Sequence, residues 1–439
     1  MFDRPATQLV GWSLDRPVSW GELCGRAATL SRQLDASGAK AVVLACARPF
    51  PFLTALVAAW RGGREVLIPA SLQPEAIAML KGTAGVVLRD TDIDALSTPS
   101  STLLNVPAAA SCRLALYTSG STGAPKRVEK TLAQLQREIE NLQAVWGASL
   151  AESSVLATVP HYHIYGLLFR VLWPLAAGRP VEEITLSDPM HLRACAEKRG
   201  AYVLISTPAH LARFPDLLPL AEWRKPQRIF SSGGPLDATA AARYRAAFGQ
   251  APFEVFGSTE TGGVAWRSRD GSPREDAWTP FPGIAVTLGI DGALTLDSPY
   301  LNERGYRMDD AAELLEDGRF LLRGRLDRVV KVEGKRLSLP QLEQLLARHE
   351  WISAACAVTL PGAQRLGVVI VPTVEGNAAL QRDGARGVRE VLRRHLAREL
   401  DPTLLPRGFR FVDALPYDER GKLAAERIER LFAEPSDDA

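Results

Sequence analysis

Short apolar runs recur along the first two thirds of the chain, and between them lie longer segments whose apolar residues return every three or four positions. The first pattern predicts strands buried on both faces, the second amphipathic helices. Ser19 and Glu22 form a capping-box signature ahead of a helix reaching about residue 34. Strands are predicted over 41–47, 65–69 and 86–89, with a helix over 51–61 between the first two. After a Ser/Thr/Ala/Pro-rich connection over 91–111 the alternation resumes. Helices are predicted over 132–146 and 165–175 and near Met190 and His210, with strands over 155–159 and 228–230 and at Val181 and Tyr202. Such alternation predicts parallel, doubly wound sheets.

From about Gly283 the texture changes to short alternating runs punctuated by Asp291-Gly292 and Asp317-Gly318, which predicts a smaller β-rich unit. A compact α+β segment follows Arg325, and residues 433–439 read as a frayed acidic tail. The expected fold is therefore α/β: a large N-terminal domain over 1–325, made of doubly wound sheets plus the β-rich unit, then a small α+β C-terminal domain over 326–439.

Composition narrows the partners. The 439 residues carry 52 Lys+Arg against 50 Asp+Glu, a net charge of +2, so nothing in the balance points to nucleic acid or an anionic membrane. Five cysteines, widely spaced and without a C-x-x-C pair, fit a reducing compartment. The N-terminus lacks a basic segment followed by an apolar core, and no apolar run reaches about 18 residues. A cytoplasmic enzyme without a membrane span is the expectation.

The chemistry concentrates in turns that follow strands, where open α/β sheets bind ligands. The most marked is Thr118-Ser119-Gly120-Ser121-Thr122-Gly123-Ala124-Pro125-Lys126. Its glycines allow a tight turn, its hydroxyls and backbone N–H groups crowd one concavity, and Lys126 adds a point charge, which suits a polyphosphate. A Ser/Gly-rich surface turn is the competing reading. The nucleotide-triphosphatase pattern G-x-x-x-x-G-K-[ST] is not met, because Lys126 stands between Pro125 and Arg127.

What this stretch does resemble is the phosphate loop of the adenylate-forming superfamily: acyl- and aryl-CoA synthetases, peptide-synthetase adenylation domains and luciferases. Further stretches carry the resemblance in the superfamily's order. Pro160-His161-Tyr162-His163-Ile164-Tyr165-Gly166 is similar to its Pro-x-Phe-His-x-x-Gly element, which implies Tyr162, His163 and Gly166 at the wall of the acid pocket. The H-x-H pair alone could be read as two metal ligands, but no third ligand lies near it in sequence. Ser231-Ser232-Gly233-Gly234-Pro235-Leu236 resembles the turn on which relatives stack adenine, so Gly233, Gly234 and Pro235 are candidate nucleotide contacts. Phe256-Gly257-Ser258-Thr259-Glu260 resembles the [Tyr/Phe]-Gly-x-Thr-Glu element, which implies Thr259 at the α-phosphate and Glu260 at Mg²⁺.

Tyr306-Arg307-Met308-Asp309-Asp310 is similar to Tyr-x-Thr-Gly-Asp, departing at Met308 and Asp309, and implies Asp310 at the ribose. Gly324-Arg325-Leu326-Asp327 resembles the Gly-Arg-x-Asp hinge, which implies Arg325 at the ribose and Asp327 as the pivot of a mobile C-terminal domain. Pro416 to Lys422 fits Pro-x-x-x-x-Gly-Lys, whose lysine acts only during adenylation. The resemblance implies ATP-dependent activation of a carboxylic acid through an acyl-adenylate, with AMP and pyrophosphate as products. Thioester formation follows, on coenzyme A or on the phosphopantetheine of an acyl carrier protein. The phosphate loop is reached early in the chain, which leaves less material for a long tunnel and favours an aryl or short acid. A medium- or long-chain fatty acyl synthetase and a non-catalytic AMP-binding pseudoenzyme are the alternatives.

Overall fold

In the computed structural model, residues 4–96, 108–118, 125–332, 335–360, 365–416 and 425–433 are described. They form two compact units: Met1–Ala285 with Asp297–Arg304, and Val286–Leu296 with Gly305–Ala439.

The first unit holds two sheets. The larger runs in the order Thr279–Pro280, Gly262–Ser268, Phe253–Ser258, Arg228–Ser231, Tyr202–Ser206, Ser154–Ala157, Val181–Glu182, Leu9–Ser13, Arg16–Ser19. Its six central strands, from Phe253–Ser258 to Leu9–Ser13, are mutually parallel, and the flanking ones are antiparallel. Tyr202–Ser206 is buried at every position, as a strand covered on both faces must be. The second sheet runs Gly85–Leu88, Ala41–Leu44, Glu65–Ile68, Arg113–Thr118, Lys126–Thr131, parallel except for the last pair.

Helix Leu132–Leu150 buries Leu135, Ile139, Leu142, Trp146 and Leu150, one stripe at helical spacing. Trp146 is its anchor. Its ring lies 4.7 Å from that of Phe230, 5.7 Å from Phe253 and 5.5 Å from Phe281, edge-on in each case. The sequence places this helix correctly, and Thr131 with Gln134 forms a reciprocal capping box at its start. At helix Trp20–Ser37 the predicted cap is made by Ser19 Oγ, which accepts from Glu22 N–H, while the Glu22 carboxylate pairs with Arg16 at 2.7 Å.

Several elements differ from expectation. Lys126–Thr131, a stretch for which no element is predicted, is a strand closing a hairpin with Arg113–Thr118. The N-terminal strands Leu9–Ser13 and Arg16–Ser19 turn through Leu14 and Asp15 at φ 46° and 71°, a left-handed turn made without the glycine that normally signals one. Within the expected connection over 91–111, Asp90–Asp94 is a short helix; Asp92 accepts the Arg89 N–H, and Asp90 accepts the N–H groups of Ala47 and Arg48. The helix expected over 165–175 widens into a π turn at Leu167–Leu172.

The second unit begins with a four-stranded sheet whose last three strands, Ala293–Asp297, Tyr306–Leu314 and Phe320–Arg325, run antiparallel to their neighbours. The hairpin Val329–Val332 with Lys335–Ser338 follows, then a three-stranded sheet of Ile352–Leu360, Arg365–Pro372 and Gly408–Phe411. Leu342, Leu346, Val368, Leu392 and Leu396 make its core beneath the helices. No helix among the described residues is long and apolar enough to cross a membrane.

Candidate active site

The hairpin of the smaller sheet brings the two ends of the Ser/Gly-rich loop together. Thr118 and Lys126 are directly paired across the ladder. Ser119, Gly120, Ser121, Thr122 and Gly123 lie outside the described residues, so the hairpin's ends are what the structure gives of this motif. Side chains alternate faces along a strand, so Lys126, Val128 and Lys130 share one face. That face meets the turn after Phe253–Ser258 on the larger sheet. Lys126 Nζ lies 2.7 Å from Glu260 Oε1. Lys130 Nζ donates to the Glu260 carbonyl at 2.6 Å.

The Glu260 turn is closely built. Ser258 and Thr261 exchange hydrogen bonds through backbone and hydroxyl groups at 3.0–3.1 Å, and Thr261 Oγ1 also donates to the Gly262 carbonyl. Gly257 approaches that carbonyl so closely that a Cβ would stand 2.1 Å from it, so no other residue fits without moving the turn. Thr259 is half-buried beside Glu260. Burial raises the Glu260 carboxyl, but Lys126 and the hydroxyl and backbone donors of the turn outweigh it and hold the group below the usual carboxylate range. Glu260 is therefore ionised at neutral pH.

Behind this turn lie two charged groups that sequence reasoning did not single out. Lys130 and Glu138 are each 4% exposed. Glu138 accepts the Gly263 N–H at 2.6 Å, and burial pushes its carboxyl up to about 7 against that bond and the Lys130 charge. Burial likewise lowers the Lys130 ammonium, opposed by Glu138 and Glu260.

The Ser231–Leu236 turn is exposed at Gly233, Gly234 and Pro235. Among the described residues nothing stands within 4 Å of where a Cβ on Gly234 would be, so the space beside the turn is open there. Its underside is pinned. Ser232 Oγ donates to the Val255 carbonyl at 2.8 Å, and buried Glu254 accepts the Leu236 N–H at 2.8 Å. Glu254 also takes both arms of Arg267, at 2.8 and 2.9 Å. A glutamate between Phe253 and Val255 in a central strand is the signal that could have marked it, since a buried carboxylate needs partners. Phe256 packs against Trp278, ring centres 5.5 Å apart.

At the end of Ser154–Ala157, Tyr162 is buried and its ring meets that of His163 edge-on at 4.7 Å. Tyr165 packs on Phe169 at 4.8 Å. Gly166 is buried at the end of the short helix Ile164–Gly166. His161 is fully buried: its Nε2–H donates to the Cys46 carbonyl, its ring meets Phe52 edge-on, and burial holds its pKa well below the usual value. Among the described residues no group of three His, Cys, Asp or Glu side chains could hold a metal. The π turn presents Arg170, fully buried, which donates to the Val159 and Glu183 carbonyls and to Thr185 Oγ1 at 2.6–2.7 Å and fixes where the Tyr162–His163 segment begins.

In the second unit Asp310 and Arg325 face each other across neighbouring strands, 3.8 Å between charged atoms. Asp327 lies in the short 3₁₀ turn Leu326–Arg328. Lys422 lies outside the described residues.

An α/β unit with a Ser/Gly-rich sequence between two paired strands, an open glycine turn and an ionised carboxylate at its strand ends defines a nucleotide-binding enzyme. The AMP-binding enzyme family model matches residues 26–292, and the model for the AMP-binding enzyme C-terminal domain matches residues 341–422. The first match spans more than half of the chain, and the chain belongs to the AMP-binding enzyme family, within the adenylate-forming superfamily.

The 4-coumarate–CoA ligase of Rhodobacter capsulatus is 30% identical over 315 residues, 70% of this chain and 73% of the relative. The anthranilate–CoA ligase of Pseudomonas aeruginosa is 28% identical over 404 residues, 84% of this chain and 77% of the relative. The fold is that of ATP-bound MatB from Rhodopseudomonas palustris, with a TM-score of 0.78 at 19% identity over 98% of this chain and 97% of that one. It is also that of a benzoate CoA ligase from Burkholderia xenovorans, with a TM-score of 0.76 at 19% identity over 97% of each chain.

Proposed function

We propose that the chain activates a compact aryl carboxylic acid with ATP and transfers it to the thiol of coenzyme A. The chemistry is that of an AMP-forming acid–thiol ligase. The carboxylate attacks the α-phosphorus, pyrophosphate leaves, and the thiol then displaces AMP from the acyl-adenylate. The observation that carries the reading is the Lys126–Glu260 contact, which gathers a phosphate-type cation and a metal-type carboxylate from distant parts of the chain at one point. An in-line displacement between a carboxylate and a triphosphate needs charge offset where it develops, and little else from the protein.

The resemblance to the adenylate-forming superfamily supplies the roles we propose around that centre. Thr118, the loop residues Ser119 to Gly123 and Lys126 bind phosphate oxygens, and Thr259 donates to the α-phosphate. Gly233, Gly234, Pro235, Phe256 and Gly257 flank the adenine. Asp310 and Arg325 take the ribose hydroxyls. Lys422 assists adenylation from the C-terminal domain, residues 326–439, which pivots at Asp327. The residues fit Mg²⁺: Glu260 is an ionised oxygen donor, and a metal held by one carboxylate with phosphate and water completing its shell is what Mg²⁺ prefers. Glu260 would hold it, and there it would offset phosphate charge. Until nucleotide arrives, Lys126 and Glu260 keep each other's charge satisfied.

Two considerations favour the acid and the acceptor. The Tyr162 and His163 rings are an aromatic wall, and CoA ligases for 4-coumarate, 4-chlorobenzoate and anthranilate are among the relatives. The phosphopantetheine of a carrier protein offers the same thiol arm and is the alternative acceptor. ATP–pyrophosphate exchange over a panel of acids, followed by mass detection of the acyl-CoA, tests the reading. Exchange driven by no acid would refute it.

A further inference from the structure

Lys130 and Glu138 are charged groups in a place where packing alone would call for apolar ones. Lys130 projects from the same strand face as Lys126, and both lysines reach the same residue: Lys126 the Glu260 carboxylate, Lys130 the Glu260 carbonyl at 2.6 Å. Glu138, on helix Leu132–Leu150, grips the far side of the turn through the Gly263 N–H at 2.6 Å. Gly262, at φ 69°, sits so closely over this carboxylate that a Cβ would stand 2.6 Å from Glu138 Oε2. The turn is thus held at a carbonyl on one side and an N–H on the other, by groups from a different sheet and its following helix. Stability does not explain such a pair. Desolvation largely cancels the attraction between buried charges, and apolar residues of similar volume often serve as well.

We propose that Lys130 and Glu138 are positioning residues that fix the backbone of the Ser258–Gly263 turn, so that the Glu260 carboxylate can leave Lys126 for a nucleotide-bound divalent cation without the turn moving. The idea rests on the reading of Glu260 given above. Partners of this kind, one step removed from a metal, typically change its affinity by about 10–100-fold when lost.

The test uses the full chain, with Mn²⁺ as probe. Binding of Mn²⁺ in the presence of ATP is followed by its electron paramagnetic resonance signal, beside the melting temperature and the KM for ATP. Lys130→Met alone strands a buried carboxylate and should lower the melting temperature. Lys130→Met/Glu138→Leu removes both charges and should recover it, yet leave Mn²⁺ affinity at least about tenfold weaker and the KM for ATP raised. A double variant that regains both melting temperature and Mn²⁺ affinity would show the pair to be structural and overturn the proposal. If the double variant does not fold, Glu138→Gln replaces it. Its amide oxygen still accepts from Gly263, so it should bind Mn²⁺ near the native level while Glu138→Leu does not, and equal affinities in those two would equally overturn it. Absence of ATP-dependent Mn²⁺ binding in the unmutated chain would instead refute the role of Glu260, and the proposal with it.

Discussion

Lys126 Nζ and Glu260 Oε1 lie 2.7 Å apart, joining the hairpin of one sheet to a strand-end turn of the other. The Lys126 side chain is 58% exposed and that of Glu260 25%, so the pair contributes little to stability, about 0–1 kcal/mol by the usual worth of accessible ion pairs. Its significance is positional. It sets a cation and an ionised carboxylate side by side, the pair to which the proposed function gives the triphosphate and its metal.

Glu260→Gln separates these two contributions. The variant should melt close to the native temperature yet slow acid-dependent pyrophosphate exchange by about 100-fold or more, the loss typical of removing one charge-stabilising group from an active site. Native exchange in a folded variant would remove Glu260 from the metal role.

The two half-reactions should part company at the C-terminal domain. Lys422→Ala is expected to abolish adenylation while still converting supplied acyl-adenylate to thioester. Asp327→Pro, which fixes φ and removes an N–H at the proposed pivot, should keep adenylation and lose thioester formation. Each half-reaction is assayed separately on both variants, and equal damage to both steps would argue against a hinge at Asp327.

Trp146→Ala probes the fold instead of the chemistry. The ring packs edge-on against Phe230, Phe253 and Phe281 between helix and sheet. Its removal should cost about 3–5 kcal/mol, seen as a lower denaturant midpoint. A shift under about 1 kcal/mol would mean that the site collapses around the loss.

Much of this architecture is legible in the sequence because it rests on strong local signals. The buried central strands are unbroken apolar runs, as at 202–205, and the helix over 132–150 carries both a cap and a stripe. The strand-end motifs stand out because hydroxyls, glycines and an isolated carboxylate do not otherwise gather after buried strands. What stays hidden is structure whose logic is long-range. Lys126–Thr131 alternates charged residues on both faces, and only the Glu260 turn from the other sheet explains why Lys130 is buried. Glu138 reads as a solvated helix position until Gly263 is seen above it. The turn at Leu14 and Asp15 adopts left-handed backbone without glycine, and the π turn around Arg170 has the periodicity of an ordinary helix.

Acid activation is read out by acid-dependent ATP–pyrophosphate exchange on the purified chain with Mg²⁺, using benzoate and cinnamate derivatives, short aliphatic acids and palmitate. On the proposed function the Tyr162 and His163 rings line the acid pocket and gain on the order of 1 kcal/mol for each favourable ring pair, so compact aryl acids should support the fastest exchange, with acyl-CoA accumulating once coenzyme A is added. Exchange with palmitate far above every aryl acid would contradict the substrate assignment. AMP binding without exchange by any acid would contradict the enzyme itself.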